Sequence, residues 1–462
     1  MSKIKRRKSL TRRISHNFFS LRARLLFFFL TSLLLLFASL PGRCIGQIKH
    51  ENESEQDQDP NKIILIIVQG NDKTREEVIL REMRLKVGGQ FDPAELERDR
   101  LRIQNLGIFN RVEIDLVPTK RGVILVVTVS EMWYIFPYPI IFRNERDWSR
   151  LSVGAGLLHN NFRGRGEVIN FSFWLGFNPS AKLVYSNPWI LGHLKMYTSF
   201  AVFTQKVRNQ TYTVLDSSVN ENQLGFNWKI GKRFGHFTYL DFNVGYRRLT
   251  LSRGSLGTLS RSGVDHLPQF GVSFKYDTRD LWEYAHKGNY LRLWATKTGW
   301  FGKDVNYFRY GADVRKFIPV GPTTFALHTA ANLSEGTLPI YDLVHFGFLT
   351  RIRGHFRQRR TGENLFIGSA EFRFPIRKIT YHNLGAFKSM GRYGSNFRFG
   401  VSGGLFVDTG SLWQQGQSPK KFVTGWGAGL HIFLPYNSIL RFEYAFDENW
   451  NGQFIVDAFM TF

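Results

Sequence analysis

The chain has 462 residues and a formal net charge of +25, and aromatic side chains make up 15% of it. Together with 43 glycines, this composition favours many strands separated by turns over a helical bundle. The basic surplus fits an anionic membrane face or a charged lumen better than nucleic acid, because the sequence has no compact Lys/Arg stripe with interleaved aromatic residues. Cys44 is the only cysteine, so a mature chain that begins after it has no disulfide and no cysteine metal site.

Residues 1–46 predict a secretory signal peptide. A basic segment without acidic residues precedes the apolar run 25–40, and small residues follow, with cleavage expected after Gly46. The run is shorter than the roughly 20 residues that a spanning helix needs. An organellar transit peptide, which is also rich in arginine and poor in acids, is the alternative. No long apolar run follows, so a mature chain that enters a membrane is expected to do so as strands.

Residues 47–61 are polar and acidic and predict a flexible linker. Residues 62–131 then predict a small α/β domain of order β-α-α-β-β. Thr74 and Glu77 predict a capping box at the first helix, and Asp92-Pro93 predicts the start of the second. No phosphate loop precedes either helix, which argues against a nucleotide site.

The end of this small domain carries a family resemblance. The segment 107–114, Gly-Ile-Phe-Asn-Arg-Val-Glu-Ile, follows a helix rich in Leu and Arg and resembles the end of a POTRA domain. The resemblance implies a periplasmic module that takes up extended chains by strand addition at its sheet edge. An inert α/β spacer is the alternative.

Residues 132–462 predict a transmembrane antiparallel β-barrel of about 16 strands, making the whole chain mainly β. Runs of about ten residues alternate between apolar and charged positions, as in 440–446 (Leu-Arg-Phe-Glu-Tyr-Ala-Phe). Charges that repeatedly face the side opposite the apolar residues fit a barrel with lipid outside and water inside. The last strand resembles the terminal recognition signal of outer-membrane barrels, with an apolar row formed by Phe454, Val456, Ala458, Met460 and Phe462.

Three motifs in order extend the resemblance over residues 62–462. They are a Y-x-x-P pattern (Tyr185 to Pro188), a Y-D-T-R-D motif (Tyr276, Asp277, Thr278, Arg279, Asp280) before Gly288, and an R-G motif in a long connection (Ile352, Arg353, Gly354, His355). The set resembles the BamA/TamA-like outer-membrane assembly factor superfamily, in which a POTRA domain precedes a β-barrel. The resemblance implies that the R-G loop folds back into the lumen.

The family pattern implies an acidic partner for Arg353. Glu371 and Asp408 lie on the lumen-facing positions of their predicted strands, and either could form a bidentate pair with the guanidinium group. A solvated arginine in an extracellular loop is the alternative. His355 departs from the family pattern, which has Phe or Tyr there; either the aromatic residue is displaced to Phe356 or imidazole replaces the ring.

The sequence predicts no enzyme, no cofactor and no metal site. The 12 histidines have no ligand spacing, and no nucleophile elbow or phosphate loop is present. Asp277 and Asp280 flank Arg279, which favours a turn-stabilising charge cluster over a catalytic pair.

The expected location is the bacterial outer membrane with the POTRA domain in the periplasm. The resemblance implies partners among membrane lipid, unfolded barrel proteins or secreted polypeptides, and accessory periplasmic proteins. It implies protein insertion or translocation, with substrate entering the membrane at the seam between the first and last barrel strands, near Ile140 and Phe454. A passive porin or transporter is the alternative. An effector barrel fused to an enzyme domain is a further class, for which no residues remain.

Overall fold

The computed structural model describes residues 59–462 except 144–150, 208–219, 252–256, 301–302, 347–350, 356–359, 384–392, 437 and 459–462. The predicted signal peptide and almost all of the predicted linker therefore lie outside the described residues. Among the described residues, no helix is long and apolar enough to span a membrane.

The N-terminal part is a three-stranded sheet covered by two helices. Its elements are β1 (Ile63–Gln69), α1 (Glu76–Leu80), α2 (Pro93–Gln104), β2 (Phe109–Thr119) and β3 (Gly122–Glu131). The sheet order is β1-β3-β2, with β1 parallel and β2 antiparallel to β3. Its core contains fully buried apolar side chains such as Ile63, Ile79, Ile103, Leu125 and Val127. This confirms the predicted small α/β unit.

The two predicted helix starts have different outcomes. Asp92 caps α2 as predicted, because its side chain accepts the Ala94 N–H at 2.9 Å and Pro93 is the first helical residue. The capping box at Thr74 and Glu77 is wrong, since α1 begins at Glu76 without a side-chain cap. Thr74 is instead buried and accepts a hydrogen bond from Asn161 of the barrel at 2.9 Å, so a tertiary contact has taken the place of the local cap.

The rest of the chain forms one antiparallel sheet of sixteen strands. The strands are β4 (Ile135–Arg143), β5 (Leu151–Phe162), β6 (Glu167–Gly176), β7 (Ser180–Leu191), β8 (Met196–Val207), β9 (Glu221–Phe234), β10 (Thr238–Leu251), β11 (Val264–Asp277), β12 (Gly288–Gly299), β13 (Asn306–Val320), β14 (Thr323–Gly336), β17 (Asn364–His382), β18 (Phe397–Trp413), β19 (Val423–Leu434), β20 (Ser438–Phe446) and β21 (Gly452–Ala458). A two-stranded ribbon, β15 (Val344–His345) and β16 (Thr361–Gly362), lies in the connection between β14 and β17.

The sheet curls into a barrel with an apolar outer face. Tyr284, in the turn between β11 and β12, donates to or accepts from His431 of the distant strand β19 at 2.9 Å, so the two parts of the sheet meet across the interior. On β20, Tyr444 is 48% exposed whereas Arg441 and Glu443 are buried inside. Apolar outward positions and charged inward positions confirm the predicted transmembrane barrel of sixteen strands.

Within the described ranges, the first and last barrel strands are not paired with each other. β4 and β21 stand at the two ends of the sixteen-stranded sheet, and no ladder joins them among the described residues. The seven described residues of β21 are all paired with β20. In the part of the chain that the structure describes, these two strands are therefore the edge strands of the sheet, and they form the seam.

The contacts between the small domain and the barrel include a buried ion pair and two hydrogen bonds of an asparagine side chain. Glu82 accepts two hydrogen bonds from Arg233, at the end of β9, both at 2.8 Å. Asn105 donates to the Asp280 carbonyl oxygen at 2.8 Å and accepts the Trp282 N–H at 2.9 Å. These contacts fix the domain against the turns at one end of the barrel.

We expect Glu82→Gln to weaken this docking by about 3 kcal/mol, because it leaves buried guanidinium groups without a carboxylate. Burial alone would raise the pKa of Glu82, but Arg233 and Arg81 hold it below the ordinary value of 4.5. Docking of the wild type therefore weakens as the pH falls through and below 4.5, and the variant lacks that dependence.

Hydrogen exchange of the Trp282 amide reports docking directly, since its N–H is bonded to Asn105. Glu97→Gln, on the exposed face of α2, is the matched control. Equal exchange at Trp282 in Glu82→Gln and wild type would contradict the prediction.

Candidate functional site

The connection between β14 and β17 enters the barrel and forms a short turn at residues 351–355. The His355 N–H donates to the Ile352 carbonyl oxygen at 3.0 Å and closes this turn. Ile352 is 2% exposed and packs with Phe346, Leu365 and Val423. This apolar anchor holds the turn, here called the loop tip (residues 351–355), against the inner wall.

Arg353 binds three carboxylates from three strands. Its Nε and Nη2 donate to the two Asp408 oxygens, each at 2.7 Å, in a bidentate pair. Its Nη1 donates to Glu371 at 2.9 Å and to Glu443 at 3.0 Å. The guanidinium carbon also lies 3.6 Å from the centre of the Phe406 ring. Both acids proposed from the sequence lie at the site, and the arginine is 4% exposed.

Sequence reasoning missed Glu443 as a partner. It alternates with Phe442 and Tyr444 on β20, so its inward position was readable from the sequence. What the sequence does not contain is the curvature that brings β20 within reach of a loop tip 90 residues earlier.

Further arginines balance the buried charge. Arg373 Nε donates to Glu371 at 2.6 Å, and Arg441 Nη1 lies 3.6 Å from Glu371 and 3.7 Å from Glu443. Three arginines thus face three carboxylates in a buried cluster. Such a cluster is specific in geometry, and removing one member leaves opposite charges buried without a partner.

The carboxylates of this cluster lie near a histidine. Oxygen atoms of Glu371 and Glu443 and a ring nitrogen of His431 lie within 4.8 Å of one another, a spacing that a metal ion could use. Arg353 and Arg441 already supply positive charge to both carboxylates, so a divalent cation would add uncompensated charge. We assign no metal to these residues.

Two glycines allow the loop tip to approach the wall. Gly354 has φ of +93°, and a Cβ there would lie 2.5 Å from the Phe446 carbonyl oxygen. Gly425, on β19, faces the tip from the other side, and a Cβ there would lie 1.7 Å from the Arg353 carbonyl oxygen. Neither position has room for a side chain.

His355 links the loop tip to β19 and to the turn between β20 and β21. The imidazole is 2% exposed, and its Nε2 lies 3.0 Å from the Thr424 carbonyl oxygen and 3.0 Å from the carboxylate of Glu448, in the turn between β20 and β21. A phenylalanine ring could not make these polar contacts. Phe356, the alternative position for the motif's aromatic residue, lies outside the described residues.

Arg351 has a partner that the sequence did not indicate. Its guanidinium group forms an ion pair with Asp457, a 3% exposed residue of β21. The loop tip therefore contacts the last described strand as well as β17, β18, β19 and β20.

The Y-D-T-R-D motif forms the turn after β11. Asp277 and Arg279 make a bidentate pair with both distances 2.9 Å, and Asp280 accepts the Leu281 and His286 N–H groups at 2.9 Å each. Tyr276 points outward and is 39% exposed. The motif lies apart from Arg353 and supports the surface that receives the small domain.

The other proposed residues lie on strands. In the Y-x-x-P segment, Asn187 donates to Glu167 at 3.1 Å. On β21, Phe454 is 62% exposed and Val456 is 51% exposed, so both face outward. Met460 and Phe462 lie outside the described residues.

This architecture defines an outer-membrane β-barrel with a periplasmic POTRA domain. Residues 161–454 match the model of the Omp85 superfamily domain, and residues 62–132 match the POTRA model described as a surface antigen variable number repeat. The chain belongs to the Omp85 superfamily, of the BamA/TamA-like kind. It resides in the bacterial outer membrane.

Among curated proteins, the chain is similar to the outer membrane protein assembly factor BamA of Nitratidesulfovibrio vulgaris, with 24% identity over 306 residues. The match covers 63% of this chain and 37% of that relative, so the chain spans little more than a third of its length.

Two solved structures share the fold. BamA from Haemophilus ducreyi lacking POTRA domains 1–3 aligns with a TM-score of 0.52 at 15% identity, covering 86% of this chain and 84% of that one. CdiB from Escherichia coli aligns with a TM-score of 0.58 at 14% identity, covering 86% of this chain and 76% of that one.

Proposed function

We propose that this protein inserts other barrel proteins into the outer membrane or translocates polypeptides across it. The observation that carries the proposal is the seam: β4 and β21 end the sheet without pairing to each other among the described residues. A free strand edge at membrane depth is costly unless something pairs with it, and an incoming β-strand has the backbone groups to do so.

The POTRA domain offers the first contact in this mechanism. β2 is an edge strand of its sheet, and its C-terminal part is open to water, with Leu116 36% and Val117 45% exposed. An extended substrate segment could add to this edge through main-chain hydrogen bonds before reaching the seam. Accessory periplasmic proteins could use the same edge.

Photocrosslinking at matched positions tests the proposal. Ile141 on β4 is 69% exposed, and Leu175 on β6 is 66% exposed but lies inside the sheet. With a photoreactive amino acid at each site in turn, we expect barrel or secreted substrates to be trapped from Ile141 and from Val117 of β2. Leu175 and the exposed loop residue Val87 should trap few.

Two results would contradict the proposal. One is equal trapping at Ile141 and Leu175, which would mean that the seam has no special contact with substrate. The other is depletion of the protein without change in outer-membrane barrel levels or in export. An ion-selective conductance in liposomes that survives deletion of residues 62–131 would favour a passive porin instead.

A further inference from the structure

A basic cavity of about 430 Å³ lies between the POTRA domain and the inner wall of the barrel. Seven lysine or arginine side chains line it, against three carboxylates. The carboxylates are already engaged: Glu82 with Arg233, Asp277 with Arg279, and Asp241 with the Tyr197 hydroxyl group at 3.1 Å. The lining therefore keeps positive charge that its own acids do not neutralise.

The unneutralised charge is concentrated on two adjacent strands. Lys275 of β11 and Arg292 of β12 are directly opposite each other in the ladder. Like charges at opposed positions repel and destabilise a sheet. Neither residue forms an ion pair within the part of the chain that the structure describes; Arg292 has only a 3.4 Å contact with the Ser273 hydroxyl group.

Aromatic rings hold Lys275 in place at this point. Its ammonium group lies 3.8 Å from the centre of the Tyr239 ring and 5.4 Å from that of Trp282. Cation–π contacts orient the charge but do not cancel it. Among the described residues, these opposed cations have no ion-pair partner, and the nearby carboxylates of Asp277 and Asp241 act on Lys275 only from a distance. An anion bound between Lys275 and Arg292 would supply the missing ion pairs.

The POTRA side of the cavity is also basic. Arg81 and Arg233 share Glu82, and Arg81 is not hydrogen-bonded to it, lying 3.6 Å away. Burial and the positive charge of Arg102 lower the pKa of His236, in the turn between β9 and β10, to about 4. Burial is the larger cause of this lowering, and the contribution of Arg102 reflects the positive charge on this side of the cavity.

We propose that this cavity binds a carboxylate-rich polypeptide segment. Lys275 points into the lumen, because its neighbours Phe274 and Tyr276 are exposed on the outer face, so a lipid headgroup in the bilayer does not reach it. The volume lies within the range of about 300–1,000 Å³ that ligand sites occupy and exceeds what one small anion fills. The apolar side chains that share the lining, Leu106, Ile108 and Phe237, suit the carbon atoms of a peptide. The site does not depend on whether the protein inserts or translocates substrates.

Fluorescence anisotropy with the purified full chain in detergent tests the proposal. The probe is a labelled decapeptide that alternates glutamate and serine, and its control replaces every glutamate with glutamine. We expect the acidic peptide to bind and the neutral one not to bind, with affinity falling as salt rises. Lys275→Gln should weaken binding by about tenfold, as expected for loss of one charge-assisted hydrogen bond.

Two further variants keep the test decisive. Arg292→Gln should also weaken binding, and it removes an exposed lumen side chain, so folding is preserved even if Lys275→Gln misfolds. Lys182→Gln is the control, because Lys182 is an exposed lysine of β7 that does not line the cavity. This variant should bind the acidic peptide as the wild type does. Equal binding of the two peptides, unchanged affinity in Arg292→Gln, or binding of inorganic phosphate without binding of the acidic peptide would overturn the proposal.

Discussion

Arg353→Ala is expected to lower the free energy of unfolding by about 3–5 kcal/mol, the cost of removing one partner from a buried ion pair. The substitution leaves Asp408, Glu371 and Glu443 facing one another with their shared cation gone. Arg353→Lys should recover only part of the loss, because an ammonium group cannot make the bidentate pair with Asp408. Urea unfolding of the purified barrel in detergent measures both effects.

The matched control for this prediction is Arg377→Ala. Arg377 lies on β17, the strand that carries Glu371, but is exposed. Its removal should change the unfolding free energy by less than about 0.5 kcal/mol. If Arg353→Ala and Arg377→Ala destabilised the barrel equally, the buried cluster would not be what holds the loop tip.

Gly425→Ala is expected to push the loop tip away from the wall without removing any charged group. The added Cβ would lie 1.7 Å from the Arg353 carbonyl oxygen, a backbone atom that cannot move aside by itself. The loop tip must then move away from the inner wall, and the ion pairs of Arg353 are broken. We therefore expect the free energy of unfolding to fall by about 3 kcal/mol. Displacement would expose Arg353 to trypsin, and mass spectrometry would detect a new terminus at Gly354.

Gly368→Ala is the control for this experiment. Gly368 lies on β17, and the nearest atom to a Cβ there would be a Thr409 methyl group at 3.4 Å, an ordinary contact. Trypsin should leave Arg353 intact in this variant as in the wild type. Protection of Arg353 in Gly425→Ala would show that the wall yields and that the close approach is not a constraint.

The fold was largely predictable because its determinants are local and repeated. Alternation of apolar and charged residues recurs in strand after strand, and each strand needs only its neighbours to pair. The capping box at Thr74 failed for the opposite reason, since Asn161 of the barrel lies 87 residues away and captures the hydroxyl group. A pattern of four residues carries no information about such a contact.

At the loop tip, too, the features that depend on local strand pattern were predictable and those that depend on long-range contacts were not. The sequence placed Glu371 and Asp408 on inward positions, and the structure brings both to Arg353. The sequence alone indicated no partner for Arg351. From the sequence alone, Arg351→Ala is therefore expected to impair function or barrel stability less than Arg353→Ala. The ion pair with Asp457 depends on how far the last strand extends along the wall, which periodicity does not specify. The contact of His355 with Glu448 was likewise not predictable, because the sequence does not show where Glu448 lies relative to the loop tip.

The contacts of the loop tip also set an order of events in folding. Arg353, Arg351 and His355 bind residues that all lie later in the chain, from Glu371 to Asp457. During folding, the loop tip lacks some of its binding partners until β20, the turn after it and β21 have been synthesised and have taken their places in the barrel. A chain that stops before these strands keeps Arg351, Arg353 and His355 without several of their partners. A loop tip that makes all of these contacts therefore requires β20, the turn after it and β21 to be in position.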